Sequence, residues 1–188
     1  LVRISDARAE FSEEVRDTSD YVFRIRPQIN VTEPTAGQNV VAGSINSTPI
    51  RWTYTGTQIS TVNIEFSSDG GINWTTVEND VPVEKGSTYL WPQVPIIRTT
   101  NAKIKVYDST NPNIIGYTPT FNIVGSLSLS VPNGGQNWEV LSTDNLIVWN
   151  ATAVPTVNVY YSVNGTSGPF VYSKSADGTL GSTNFTVP

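Results

Sequence analysis

The sequence predicts an all-β protein made of tandem immunoglobulin-like β-sandwiches, and three observations lead there. Apolar and polar residues alternate with period 2 in several short segments, the mark of strands with one buried face. Turn-forming residues interrupt those segments at short intervals. A pattern of about 95 residues recurs along the chain, the size of one sandwich of ~100 residues rather than of a solenoid unit of ~20–50.

Taken in order, the elements repeat with small shifts. Val2-Arg3-Ile4-Ser5-Asp6 has its counterpart 102 residues later at Ile104-Lys105-Val106-Tyr107-Asp108. Residues 8–16 carry a weak helical pattern, enough for one or two turns in a lengthened loop. Phe23 and Ile25 align with Phe121 and Ile123, and each pair is spaced for one strand face. Pro34, Gly37, Gln38 and Asn39 recur at Pro132, Gly135, Gln136 and Asn137, an offset of 98. Pro and Gly at fixed spacing read as a turn. Trp52 matches Trp149 inside alternating segments, so both read as interior residues. Val62-Asn63-Ile64-Glu65-Phe66 matches Val157-Asn158-Val159-Tyr160-Tyr161, and Asp69-Gly70-Gly71 and Asn164-Gly165 read as the turns that follow. Trp91 and Val94-Pro95 correspond to Phe185 and Val187-Pro188. Drifting offsets mean loops that vary around a fixed core.

The frame divides the chain into three. Residues 1–26 are expected to be the C-terminal strands of a preceding repeat, 27–125 a complete repeat, and 126–188 the N-terminal part of a following one. A start at Leu1 without a signal-peptide pattern is expected of a piece of a longer polypeptide. Neither junction is Gly/Ser-rich, so the joints should restrict motion.

Composition excludes several chemistries. The 188 residues contain no Cys, His or Met. That removes thiol and Ser-His nucleophiles, Cys/His zinc sites and disulfides. Charged residues make up 14%, against ~25% in an average globular protein. Ser (19), Thr (23) and Asn (17) fill the gap. A net charge of −5 speaks against nucleic acid, whose binders cluster Lys and Arg. No apolar run approaches the ~20 residues of a spanning helix, so no transmembrane segment is expected here.

Pro-x-x-Gly-x-Asn, the Trp52 strand, Val62–Trp74 and Ala102–Asp108 together resemble the Ser/Thr-rich cell-wall-type immunoglobulin-like repeat. Such repeats occur in tandem in large bacterial secreted and surface-layer proteins. The resemblance implies a structural role at the cell surface, outside the cell. The third copy departs from it, with Asn164-Gly165-Thr166-Ser167-Gly168 in place of the Asp69 turn and Phe170 near the position of Trp74.

Ser67–Trp74 also looks like an Asp-box, Ser-x-Asp-x-Gly-x-x-Trp, a hairpin in which Asp69 accepts bonds from turn amides and Trp74 packs beneath. Structural roles are expected for Trp52, Trp149, Phe23, Phe121, Pro34, Gly37, Pro132, Gly135, Asp69 and Trp74. Trp74 and Trp91 are the two tryptophans the alternation leaves open, and an exposed ring there could stack on a sugar. Asp6, Asp69 and Asp108 are the weak candidates for Ca²⁺, which takes ~6–8 oxygens, with Glu78, Asp80 and Glu84 flanking the central hairpin. No other cofactor is expected. Asn30, Asn46, Asn73, Asn150, Asn164 and Asn184 stand in Asn-x-Ser/Thr sequons. No carboxylate pair marks glycoside hydrolysis, so no catalysis is expected.

Two functions follow as expectations. The first is a non-catalytic spacer of a large cell-surface protein, most specifically a surface-layer (S-layer) lattice component, whose partners are neighbouring copies or adjacent repeats. The alternative is a carbohydrate-binding or adhesion module of a secreted multidomain protein, with cell-surface polysaccharide as partner. The incomplete end repeats are expected of a chain cut from a longer polypeptide, and the alternative is strand complementation, in which residues 1–26 of one molecule complete residues 126–188 of the next.

Overall fold

The computed structural model describes every residue except 9, 11, 12, 14, 24, 57, 58 and 84–86. Much of the 8–16 segment, with its expected helical turn, lies outside the described residues, as does Glu84. Among the described residues the chain forms sixteen strands and no α-helix, so the all-β expectation holds.

Residues 27–125 build a two-layer sandwich. One sheet orders β3 (Gln28–Glu33), β5 (Pro49–Thr55) and β8 (Thr88–Leu90). The other orders β4 (Asn39–Val41), β11 (Phe121–Val124), β9 (Thr99–Asp108), β6 (Thr61–Ser67) and β7 (Thr75–Pro82), with β10 (Ile115–Tyr117) also paired to β9. Only the β4–β11 pair is parallel among the described pairings. The alternation sets the packing. Ile29 and Val31 point inward from β3, Ile50 and Trp52 from β5, Val62, Ile64 and Phe66 from β6, and Ala102, Ile104 and Val106 from β9. Phe121 and Ile123 close the core from β11.

Residues 126–188 repeat the plan with fewer strands. β12 (Ser126–Val131), β13 (Asn145–Thr152) and β16 (Ser182–Phe185) form one sheet, and β14 (Thr156–Tyr161) pairs with β15 (Val171–Asp177) in a second. The core is correspondingly small: Ile147, Trp149, Val157, Val159 and Phe185. The turns of the two repeats match in detail. Gly37 and Gly135 have φ of 67° and 75°, the left-handed region that a side chain disfavours. The bonds before Pro34 and Pro132 are cis. Gln38 Oε1 accepts from Thr35 N at 2.9 Å, as Gln136 Oε1 accepts from Asn133 N at 3.2 Å.

Residues 1–26 carry a hairpin of β1 (Arg3–Ser5) and β2 (Arg16–Thr18). Here Phe23 departs from its expected core role. It is 50% exposed, whereas its counterpart Phe121 is fully buried. The reason is the neighbourhood: Phe121 lies on a strand between β4 and β9, while Phe23 lies outside any strand and, among the described residues, has no second layer over it.

The joint between the complete and the third repeat is tight. A Cβ on Gly125 would stand 2.9 Å from both the Thr152 and Ala153 carbonyl oxygens and 2.8 Å from a Val154 methyl. Ala153 packs against the core of the complete repeat, and Thr152 approaches Gly43 from across the joint.

Candidate functional site

The aromatic-rich outer face of the β7–β6–β9–β10 region is the strongest candidate, because Trp74 stands there. The turn after β6 builds it. Asp69 Oδ1 accepts from Ser67 Oγ (2.7 Å), Ile72 N (3.1 Å) and Asn73 N (2.9 Å), and Oδ2 accepts from Asn73 Nδ2 (2.7 Å). Ser67 Oγ in turn accepts from Gly71 N at 2.8 Å. Gly70 and Gly71 take φ of 80° and 102°. Trp74 then folds back, its Nε1 donating to Gly71 O at 3.0 Å. The third repeat has a short 3-10 turn at Gly165–Ser167 instead, without such a carboxylate.

The Trp74 ring is occupied by this chain's own residues. Lys105 Nζ lies 4.6 Å from its centroid, a cation–π arrangement, and Tyr117 lies 5.9 Å away, tilted. Lys105 also pairs with Glu65, which accepts from Tyr107 OH at 2.9 Å. Trp74 is half-buried, while Tyr117 is exposed. Trp91 corrects the other sugar-contact expectation. It is 3% exposed, its ring 5.2 Å from Phe66, and its backbone N–H donates to Thr48 O at 3.0 Å. No ring face is left for a ligand, because the end of β8 turns Leu90 outward and Trp91 into the core. Trp52 and Trp149 are also buried, and Trp138 is half-buried where its counterpart Val40 is buried.

The three candidate Ca²⁺ aspartates are separate and locally bonded. Asp6 pairs with Arg8, with Oδ2 2.7 Å from Nη2. Asp108 is buried and accepts from Thr110 N and Oγ1, both at 3.0 Å. Among the described residues no three carboxylates gather as a metal would require. The six sequon asparagines are all exposed, and Asn73 is the one whose amide is held by Asp69.

The backbone amide of Asn73, the Ser67 hydroxyl, the Asn73 side-chain amide and, least, the Ile72 backbone amide hold the Asp69 carboxyl well below the usual carboxylate range. A depressed folded value means that the bonds stabilise the turn fully above the unfolded pKa of ~4. They are lost only as pH falls through the lower, folded value. The protection of the Ile72 and Asn73 amides, taken relative to the intrinsic exchange rate at each pH, is therefore expected to be constant above about pH 4 and to decline progressively from there towards the folded value. Asp69→Ala should make both amides exchange fast at neutral pH.

A second concavity lies at the joint. It is an open cleft of about 850 Å³ whose lining includes Ile96, Ile97, Val124, Ala151, Val154 and Pro155. Arg98 is its one charged lining residue, and the lining contains no carboxylate among the described residues. Sequence reasoning missed this cleft, since it needs two repeats placed side by side. It also missed the role of Gln38 and Gln136, although their recurrence at a fixed offset was the signal.

No family model matches the chain, and no curated protein matches it. Among solved structures, the fibronectin(III)-like modules of Clostridium thermocellum CbhA are similar at 13% identity and a TM-score of 0.30, over 86% of this chain and 80% of that one. The all-β sandwich architecture accordingly rests on the strand pairing and the core of the chain itself.

Proposed function

We propose that the chain is a non-catalytic structural module of a large extracellular cell-surface protein, and that a surface-layer lattice is its setting. The observation that carries this reading is the packed joint. Gly125 lies close against the Thr152 and Ala153 carbonyls at the end of the β12–β13 pairing, and from there Ala153 is seated on the neighbouring core and Thr152 reaches Gly43. A spacer needs this fixed geometry more than it needs a site. The likeness of both repeats to the Ser/Thr-rich cell-wall type supports the same setting. So does a chain lacking thiol, thioether and imidazole, which offers little to oxidants or to shifting pH.

A second reading has one specific observation in its favour. Trp74 and the exposed Tyr117 stand side by side on an outer face, and aromatic faces stack on sugar rings. The Lys105 ammonium over Trp74 opposes it. Pull-down on insoluble cell-wall polysaccharide separates the two. The expected outcome is no retention of the wild-type chain. Retention that Trp74→Ala abolishes would overturn the spacer reading in favour of a carbohydrate-binding module.

A further inference from the structure

The sequence contains four steps in which Asp or Asn precedes Gly: Asp69-Gly70, Asn133-Gly134, Asn164-Gly165 and Asp177-Gly178. Such a step can close on itself. The glycine nitrogen attacks the side-chain carbonyl carbon of the residue before it, and a succinimide forms. Asparagine expels ammonia, whereas an ionised aspartate is a poor electrophile. Closure needs a free side chain, a free glycine N–H and room around the glycine.

The two aspartates lack these conditions. Both oxygens of Asp69 accept bonds within its turn, and Gly70 N donates to Asn101 O at 2.8 Å. Asp177 Oδ1 accepts from Thr179 N (2.8 Å) and Thr179 Oγ1 (2.7 Å), and Gly178 N donates to Pro155 O at 2.9 Å. The Thr179 hydroxyl and amide also hold the Asp177 carboxyl below its ordinary value, which keeps it ionised. Gly178 is crowded too, since a Cβ there would stand 1.9 Å from Val154 O. Asn164 is constrained differently. It caps a 3-10 turn in which Gly165 O accepts from Gly168 N at 3.4 Å, and that turn holds the backbone against the rotation that closure requires.

Asn133-Gly134 is the open step. Asn133 is anchored through its backbone, N donating to Gln136 Oε1 at 3.2 Å. Among the described residues neither its side chain nor Gly134 N–H has a hydrogen-bond partner. Both residues are exposed, and a Cβ on Gly134 would meet nothing within 4 Å. The matching turn of the complete repeat shows that this openness belongs to the turn itself. With β9 and β11 in place there, Thr35 and Ala36 are still exposed, and Ala36 N has no partner among the described residues. Only the chemistry differs. Thr35 has no amide to be attacked, and Ala36 adds a methyl beside the attacking nitrogen.

We infer that Asn133 is a site of spontaneous modification, at which the third repeat deamidates while folded. Gly134 N bonds to Asn133 Cγ, the bond from Cγ to Nδ2 breaks, and the proton of the Gly134 N–H leaves with the ammonia. Water then opens the succinimide to aspartate or isoaspartate. One negative charge is added to a chain of net charge −5. Isoaspartate also routes the main chain through the side-chain carbon, which lengthens the turn that Gln136 clamps. The inference is independent of the spacer reading, since neither polysaccharide binding nor its absence bears on it.

The test holds the whole folded chain in mildly alkaline buffer for weeks, followed by ion exchange and peptide mapping. A species one charge more acidic should accumulate, with aspartate and isoaspartate at position 133. Conversion there should exceed that at Asn164 and every other asparagine several-fold. Hydroxylamine, which attacks the imide, should cleave the chain between residues 133 and 134. Asn133→Thr copies the complete repeat and should remove the acidic species without moving the melting of that repeat. At mildly acidic pH, where aspartate itself reacts, Asp69 and Asp177 should stay unmodified in the folded chain and yield isoaspartate in urea, once their bonds are released. An Asn133 that stays intact in the folded chain overturns the inference. So does an acidic species that persists in Asn133→Thr, or conversion at Asn164 that matches Asn133.

Discussion

Trp52→Ala is expected to unfold the complete repeat at temperatures where the wild-type chain is folded. Trp52 is 2% exposed and sits on β5, the central strand of its sheet, paired with β3 on one side and β8 on the other. Its indole Nε1 is buried without a hydrogen-bond partner among the described residues, so the ring contributes through packing, while the backbone bond from Trp52 N to Ser87 O (3.0 Å) survives the substitution. Truncating a buried Trp costs about 3–5 kcal/mol through lost transfer energy and the cavity left behind. A domain of this size holds ~5–15 kcal/mol in total. Scanning calorimetry should show the main transition displaced downwards by many degrees. Trp149→Ala should act on the smaller second core instead. A melting curve unchanged by Trp52→Ala would contradict the interior role.

The second large effect is expected at the joint. Gly125→Ala places a methyl 2.8–2.9 Å from two carbonyl oxygens and Val154. Real Cβ contacts do not come so close, and two of the three opposing atoms belong to the backbone, which cannot swing aside. Relief requires the start of β12 to shift against the end of β13, where Ser126 pairs with Thr152, and that end carries the residues that reach the neighbouring repeat. The strain of such overpacking is ~1–3 kcal/mol, and the Ala153 contact on the neighbouring core goes with it. X-ray scattering in solution should report a broadened distribution of shapes, while each repeat keeps its own melting transition. Unaltered scattering from Gly125→Ala would show that the joint does not depend on this approach. The spacer reading would then lose its main support.

The fold class was legible because its signals are local. The alternation in Val62–Phe66 and Ala102–Val106 is a direct image of one buried and one wet face. Trp52 and Trp149 lie in the interiors of two equivalent strands, and equivalent positions meet equivalent surroundings when the same strands are present. That condition explains the failure at Phe23. Sequence equivalence to Phe121 does not reveal which neighbours surround a residue, and among the described residues Phe23 is half exposed where Phe121 is buried. Trp74 and Trp91 were ambiguous for a related reason. Both follow short or irregular segments where period 2 no longer assigns a face. Only the pairing of β7 and β8 turns one outward under Lys105 and the other inward onto Phe66. The joint cleft was invisible because it joins residues from two repeats that the linear pattern treats as separate.

The parallel β4–β11 pair has a consequence for load. The chain enters the complete repeat through β3 and β4 and leaves it through β11. Tension along the polypeptide therefore draws two parallel neighbours past each other lengthwise. Gly37 N to Thr120 O (2.9 Å), Asn122 N to Gln38 O (2.8 Å) and Ala42 N to Val124 O (2.9 Å) all lie across that seam. The Asn122 side chain adds a bond to Asn39 at 2.8 Å. Such bonds are sheared together rather than peeled one by one. The force to extract β11 is then set by the whole seam, and the lifetime under load by the rate of that single concerted rupture.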